Sequence, residues 1–157
     1  MRSEEVESIL QAMRADAIPE GTAGRWKVKR QHVREDMFIP GYEPLVRAGT
    51  YTILSAELHD LYIVADEHEG IEGFVCGRHP PDATVMTDHR PELQKHLDFI
   101  LRARGRVLIT GLGLGCVVRG AIARPEVTHI DVVERDPDVL KLVRRYLPKD
   151  IRLHVHR

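Results

Sequence analysis

Between residues 90 and 155 the apolar positions switch back and forth between a helical and a strand spacing. Leu93, Leu97, Ile100 and Leu101 form one stripe in RPELQKHLDFILRAR, which predicts a helix over residues 90–104 closed by Gly105 at its C′ position. RVLIT (106–110) reads as a fully buried strand, GLGLG (111–115) as a turn, and Cys116 to Ala123 as a helix stopped by Pro125. VTHIDVVE (127–134) is a second strand. Asp136 is placed to cap the next helix, with Pro137 at its first position, where the missing N–H costs nothing. Val139, Leu140, Val143, Tyr146 and Leu147 line its inner face, Leu-Pro ends it, and IRLHV (151–155) is a third strand. Strands separated by helices of this length predict a βαβαβ unit, a parallel sheet with right-handed crossovers and strand order 3-2-1, one half of a doubly wound fold.

The pattern before residue 85 is weaker. Val6, Ile9, Leu10 and Met13 recur at helical spacing after Ser3, a candidate N-cap, and predict a helix over residues 4–15. IPEGTAG (18–24) reads as a break. WKVKRQHV (26–33), TYTILSAE (50–57) and DLYIVAD (60–66) carry the β-branched and aromatic content of strands. Pro40-Gly41 suits the centre of a type II turn, and GRHPPD (77–82) a loop. The division predicted is a helix plus a small β-rich subdomain over residues 1–84, followed by an α/β unit over residues 85–157.

Composition narrows the class. With 43% hydrophobic and 30% charged residues the chain reads as soluble and globular, of a length for one domain or one domain with an appended subdomain, and its apolar runs are far shorter than the roughly 20 residues that span a bilayer. The acidic start, MRSEEVESIL, lacks the apolar block of a secretory signal, and Cys76 and Cys116 have no zinc or disulfide spacing. A cytoplasmic protein with no membrane partner is expected. Charge is uneven: residues 1–100 carry 11 Lys/Arg against 18 Asp/Glu, and residues 101–157 carry 12 against 6. The arginines of the basic part are dispersed and have no interleaved aromatics, so solvated helix faces are expected rather than a nucleic-acid groove.

The glycine turn carries the strongest chemistry. At the carboxyl end of a first strand it faces the ligand crevice of such a sheet. Gly111 permits the tight turn, Gly113 lets a ligand approach the backbone, and Gly115 lets helix and strand pack closely. Glu134 ends the second strand 19 residues after Gly115, where an acid binds ribose hydroxyls. The dinucleotide spacing G-x-G-x-x-G/A meets Cys116 at its last position, whereas G-x-G-x-G is satisfied by Gly111, Gly113 and Gly115.

That spacing, with VVERDPDVLKLVRRYLP behind it, resembles class I S-adenosylmethionine-dependent methyltransferases, and within them the spermidine-synthase-like branch; the resemblance covers residues 85–157. It implies a Rossmann-like domain represented by its first half, ending after the third strand, with the β-rich N-terminal part in the place such a part takes in spermidine synthases. It implies that Gly111, Gly113 and Gly115 lie against the methionine and ribose of S-adenosylmethionine, that Glu134 accepts from both ribose hydroxyls, and that Arg135 and Asp136 border the adenine. S-adenosylhomocysteine would be the product, from an acceptor the sequence does not name. Ile109 stands where many methyltransferases have an acid, and Leu112 and Leu114 stand where spermidine synthases place an Asp. Methyl transfer is therefore placed ahead of aminopropyl transfer. The residues that recognise the adenine amino group and perform acceptor chemistry lie beyond a third strand in that family, so the 157-residue chain alone is expected to be inactive. A noncatalytic nucleoside-binding or assembly module is the alternative, with self-association through the open edge of RVLIT.

Other candidates are weaker. His154 and His156 alternate on a strand and share a face, but two histidines alone predict exposed polar residues rather than a metal site. Cys116 at a helix start could carry a depressed pKa, though a small buried residue is the expected role. The acids of DEHEG (66–70) read as a solvated hairpin loop.

Overall fold

The computed structural model describes residues 3–39, 42–57 and 83–157. The stretch DLYIVAD, the loop GRHPPD, the acids of DEHEG, the Pro40-Gly41 turn and Cys76 lie outside these residues.

Helix α1 (Ser3–Ala12) opens the chain, so Ser3 is its first residue rather than its cap. Ile9 and Leu10 on its inner face are buried, as is Met13 just beyond it. Strands β1 (Gly21–Ala23), β2 (Trp26–Val33), β3 (Met37–Ile39), β4 (Tyr42–Val46), β5 (Gly49–Ala56) and β6 (Ala83–Thr87) follow. The stretch read as a break after residue 18 thus contains β1, and β6 arises where no strand was expected. Four of these strands form an antiparallel sheet in the order β1-β2-β5-β6, and β3 pairs with β4 separately. The β2–β5 pairing runs unbroken from Trp26 opposite Ala56 to Val33 opposite Gly49, matching the two predicted strands. Asp88, fully buried after β6, accepts hydrogen bonds from the amides of Ala15 and Thr52 and from Arg14 Nε. One carboxylate therefore ties the exit of α1, β5 and the end of β6 together, and its burial is offset by three donors, one of them charged.

The predicted helix over 90–104 is two short ones, α2 (Arg90–Lys95) and α3 (Leu97–Arg102), broken at His96. The helical stripe persists through the break because Leu93 and Ile100 both point into the core. Ala103 is the cap residue of α3 in extended conformation. Gly105 is therefore not at C′; its φ of +64° serves the entry into β7 (Gly105–Thr110). Then come α4 (Cys116–Ile122), β8 (Val127–Val133), α5 (Pro137–Val143), a 3-10 turn over Arg144–Tyr146, and β9 (Leu153–His156). The cap of α5 forms as expected, with Asp136 Oδ1 accepting from the Asp138 amide at 3.0 Å and Pro137 at the first position.

β7, β8 and β9 form a three-stranded sheet in that order, every pair parallel. Val107, Ile109, Ile130 and Val132 bury one face of it. The other face is open among the described residues: Leu108, between the two buried positions of β7, is 62% exposed. RVLIT is thus half-buried and not fully buried, because an apolar run records what a strand could bury and not how many layers cover it. The same core joins both parts of the chain, with Ile9, Met13, Val28 and Leu54 in one cluster with Ile100, Val118, Ile130 and Val143. Gly120 on α4 makes this possible: a Cβ there would lie 2.9 Å from Met13 and 3.1 Å from Ile100.

Candidate functional site

β7 delivers the chain to the glycine turn at the carboxyl edge of the parallel sheet. Gly111, Gly113 and Gly115 all lie in the left-handed region, at φ +83°, +50° and +72°. Any L side chain is strained there. The Gly111 amide donates to Val133 O at 2.8 Å, and that of Gly115 to Leu112 O at 2.8 Å, so the turn is pinned at both ends. Between the glycines, Leu112 and Leu114 point inward and are buried.

The three glycines differ in what they face. A Cβ on Gly111 would meet nothing within 4 Å, so its backbone borders open space. A Cβ on Gly115 would lie 2.5 Å from Leu147 and 3.6 Å from Val143. The close packing expected of Gly115 is real, but its partners are α5 and the residues after it rather than a strand. At Gly113 the added atom would lie 2.5 Å from the sulfur of Met86. The Leu114 amide also donates to that sulfur at 3.3 Å. The space beside Gly113, expected to admit a ligand, is taken by a side chain of β6.

Glu134 follows β8 and turns back onto the glycine loop. Its Oε2 accepts from the Leu112 amide at 2.7 Å and its Oε1 from the Asp136 amide at 2.8 Å. The residue is only 8% exposed, and two charge-assisted bonds offset the desolvation of the carboxylate. An ionised carboxylate offers about four acceptor positions, so about two stay open for further donors.

Arg135 is exposed beside it. Asp136 is committed: one oxygen caps α5 and the other accepts from Trp26 Nε1 at 2.7 Å, with Arg25 at 3.9 Å. Burial pushes its carboxyl pKa up, but Trp26, the amides of Asp138 and Val139, and Arg25 outweigh this and hold it below the usual value. Trp26 and Met86, both from the antiparallel sheet, are the site residues that the sequence reading missed. Trp26 reaches Asp136 across 110 positions and Met86 reaches the turn across 28, and no local pattern marks such contacts.

Behind the turn, Arg119 is 6% exposed and donates to three carbonyls, of Leu114, Gly115 and Tyr146. Burial lowers its pKa, yet the hydrogen bonds hold the guanidinium in place as a brace for the loop. Cys116 is fully buried; burial drives its thiol pKa up to about 12, which removes it as a nucleophile and leaves the small core residue that was expected.

His154 and His156 share the open face of the sheet, and His129 and Asp131 join them there. His129 and His156 place their Nε2 atoms 3.0 and 2.9 Å from the two oxygens of Asp131, and His154 stacks on His129 at 4.6 Å. Among the described residues no group of three or more His, Cys, Asp or Glu is arranged to hold a metal ion. No helix of these residues is long and apolar enough to cross a membrane. No protein-family model, curated protein or solved structure matches the chain.

Proposed function

We propose that the β7–α4 turn and Glu134 form a nucleoside-binding site in a Rossmann-like half-sheet, and that its ligand is S-adenosylmethionine. The observation that carries this reading is the Glu134 carboxylate. It is fixed by two amides at the carboxyl edge of the sheet, one of them that of Leu112 next to Gly111 in the chain, and keeps acceptor capacity. Adjacent ribose hydroxyls are a pair of donors suited to those remaining positions. A 2′-phosphate would be repelled by the same charge, which disfavours NADP.

The residues present fit the group in part. Gly111 and Glu134 fit as they stand, while Met86 covers Gly113 and must turn aside for the methionine end of the ligand to lie along the loop. Its unbranched side chain, with three rotatable bonds, is suited to that movement. The bound cofactor would supply an electrophilic methyl group, and methyl transfer is placed ahead of aminopropyl transfer because Leu112 and Leu114 offer the turn no carboxylate. Titration calorimetry with S-adenosylmethionine, S-adenosylhomocysteine and NAD tests the assignment; tighter binding of NAD would sink it.

A second reading is a noncatalytic nucleoside-binding or assembly module. The contact of Met86 with the loop favours it, as does the outer edge of β7, which pairs with no strand among the described residues and could join a second copy. Turnover of labelled S-adenosylmethionine by the purified chain would refute the expectation that this chain alone is inactive, and light scattering showing a monodisperse monomer at high concentration would exclude the self-association.

A further inference from the structure

β9 is the last strand of the parallel sheet among the described residues, and its inner side is incompletely covered. Leu153 and Val155 stand opposite Ile130 and Val132 of β8, so all four face the layer that holds α5. Ile130 and Val132 are fully buried there, whereas Leu153 and Val155 are only half-buried. Helices laid side by side sit about 8–10 Å apart and strands about 4.8 Å apart, so a neighbour of α5 would lie over the outer side of β9.

A groove of about 660 Å³ runs there. Leu140, Leu147, Leu153 and Val155 give it an aliphatic base, and Lys141, Arg144, Arg145 and Lys149 line the same groove. All four cations are exposed, and none has a carboxylate within ion-pair distance among the described residues. Arg145 stacks over the Tyr146 ring at 4.7 Å, which leaves its charge uncompensated. The one acid of the groove, Asp150, is bound to Arg152 at 2.7 Å. The Leu153 amide donates to Asp150 O at 3.1 Å, so the groove offers an occupant its side chains rather than a free strand edge.

We propose that this groove docks an acidic amphipathic helix of a partner protein, laid beside α5 and over β9. Four cations with no free acid among them set the sign of the partner. A helix carries an apolar stripe and acids in the adjoining rows on one side. Its stripe therefore meets Leu140, Leu153 and Val155 while its flank meets the cations. A second copy of this chain is a poor occupant, because joining two such grooves would bring both sets of cations together. A bilayer or a nucleic acid would meet the cations and leave the aliphatic base uncovered.

The probe is a fluorescein-labelled helical peptide of about 15 residues, stapled on its outer face, with leucine at i, i+3, i+4 and i+7 and glutamate flanking that stripe. Titrated against the full chain by anisotropy, it should bind in a salt-sensitive manner. Arg144→Glu/Arg145→Glu should weaken binding at least about tenfold, since each reversal replaces an attraction with a repulsion. Lys149→Glu, beyond α5 and its 3-10 turn, should weaken binding about threefold and keep the parent melting temperature, which separates lost docking from lost folding. Serine in place of the leucines should abolish binding. The proposal is overturned if the peptide does not bind, if its serine or lysine-for-glutamate form binds as well, or if neither variant changes the affinity. Tighter binding of phosphatidylserine vesicles or of an oligothymidylate than of the peptide would assign the surface to a membrane or to a nucleic acid and overturn it as well.

Discussion

The carboxylate of Glu134 accepts a 2.7 Å hydrogen bond from the amide of Leu112, 22 positions earlier in the chain. With the bond from the Asp136 amide, it makes Glu134 the fastener of the glycine loop, and in the proposed site the same carboxylate also takes the ribose hydroxyls. Its two roles should fail together. Glu134→Ala leaves two amides without partners, at about 1–3 kcal/mol for a buried one and less for the partly exposed Asp136 amide. The melting temperature should fall by about 4–10 °C, and S-adenosylhomocysteine binding should weaken at least about tenfold. Thermal denaturation followed by titration below the melting range reads both; unchanged affinity would remove the ribose role while leaving the fastener.

Met86 gives a prediction of opposite sign. Its sulfur occupies the volume beside Gly113 and accepts from the Leu114 amide. Met86→Ala clears that volume and should tighten binding of S-adenosylhomocysteine while lowering stability by about 1–3 kcal/mol through lost packing. Calorimetry on the variant checks it. Weaker binding would mean that Met86 is a wall of the site and not its cover.

The βαβαβ unit was legible because each boundary has a local chemical cause. Asp136 and Pro137 announce the start of α5, and the glycines at left-handed φ announce the loop. The contacts that complete the site were not legible, because Trp26 and Met86 are set by how the antiparallel sheet docks onto the cap of α5 and onto the loop. A residue's neighbour across 110 positions has no periodicity to betray it. The break at His96 was hidden for a different reason: Leu93 and Ile100 keep one buried stripe through two helices. The half-exposure of β7 was hidden because the alternation of Val107, Leu108 and Ile109 is apolar at every position.

Asp150 predicts an acid-limb effect. Hydrogen bonds from the Arg152 side chain, then from its amide, hold the carboxyl pKa at about 2, below its ordinary 3.8. A carboxyl depressed in the folded state contributes stability that is fully present above about pH 4 and is lost as pH falls toward 2. The Arg152 guanidinium also donates to Ile122 O and Val127 O, so the pair links the end of α4 and the start of β8 to β9. Asp150→Asn should melt at a lower temperature at pH 7, and the gap from the parent should narrow between pH 4 and pH 2. A gap independent of pH would show that the ion pair does not carry the effect.

Cys116 should be chemically silent while the protein is folded. Its thiol is fully buried and its pKa is raised to about 12, so the thiolate fraction near pH 8 is negligible. In a Cys76→Ser background, a thiol-reactive disulfide reagent should label nothing in the native state and one equivalent in denaturant. Rapid labelling of the folded protein would contradict the packing of α4.

The central claim is that a nucleoside binds at the Glu134 carboxylate. Its most direct test is the position of the amide signals of Leu112 and Asp136 in a ¹H–¹⁵N correlation spectrum as S-adenosylhomocysteine is added. These two amides donate to the carboxylate that would take the ribose hydroxyls, so both should shift progressively to saturation, with Gly111 and Gly113 moving alongside. Saturable binding that leaves the Leu112 and Asp136 signals in place would contradict the account, as would the absence of any shift at millimolar ligand.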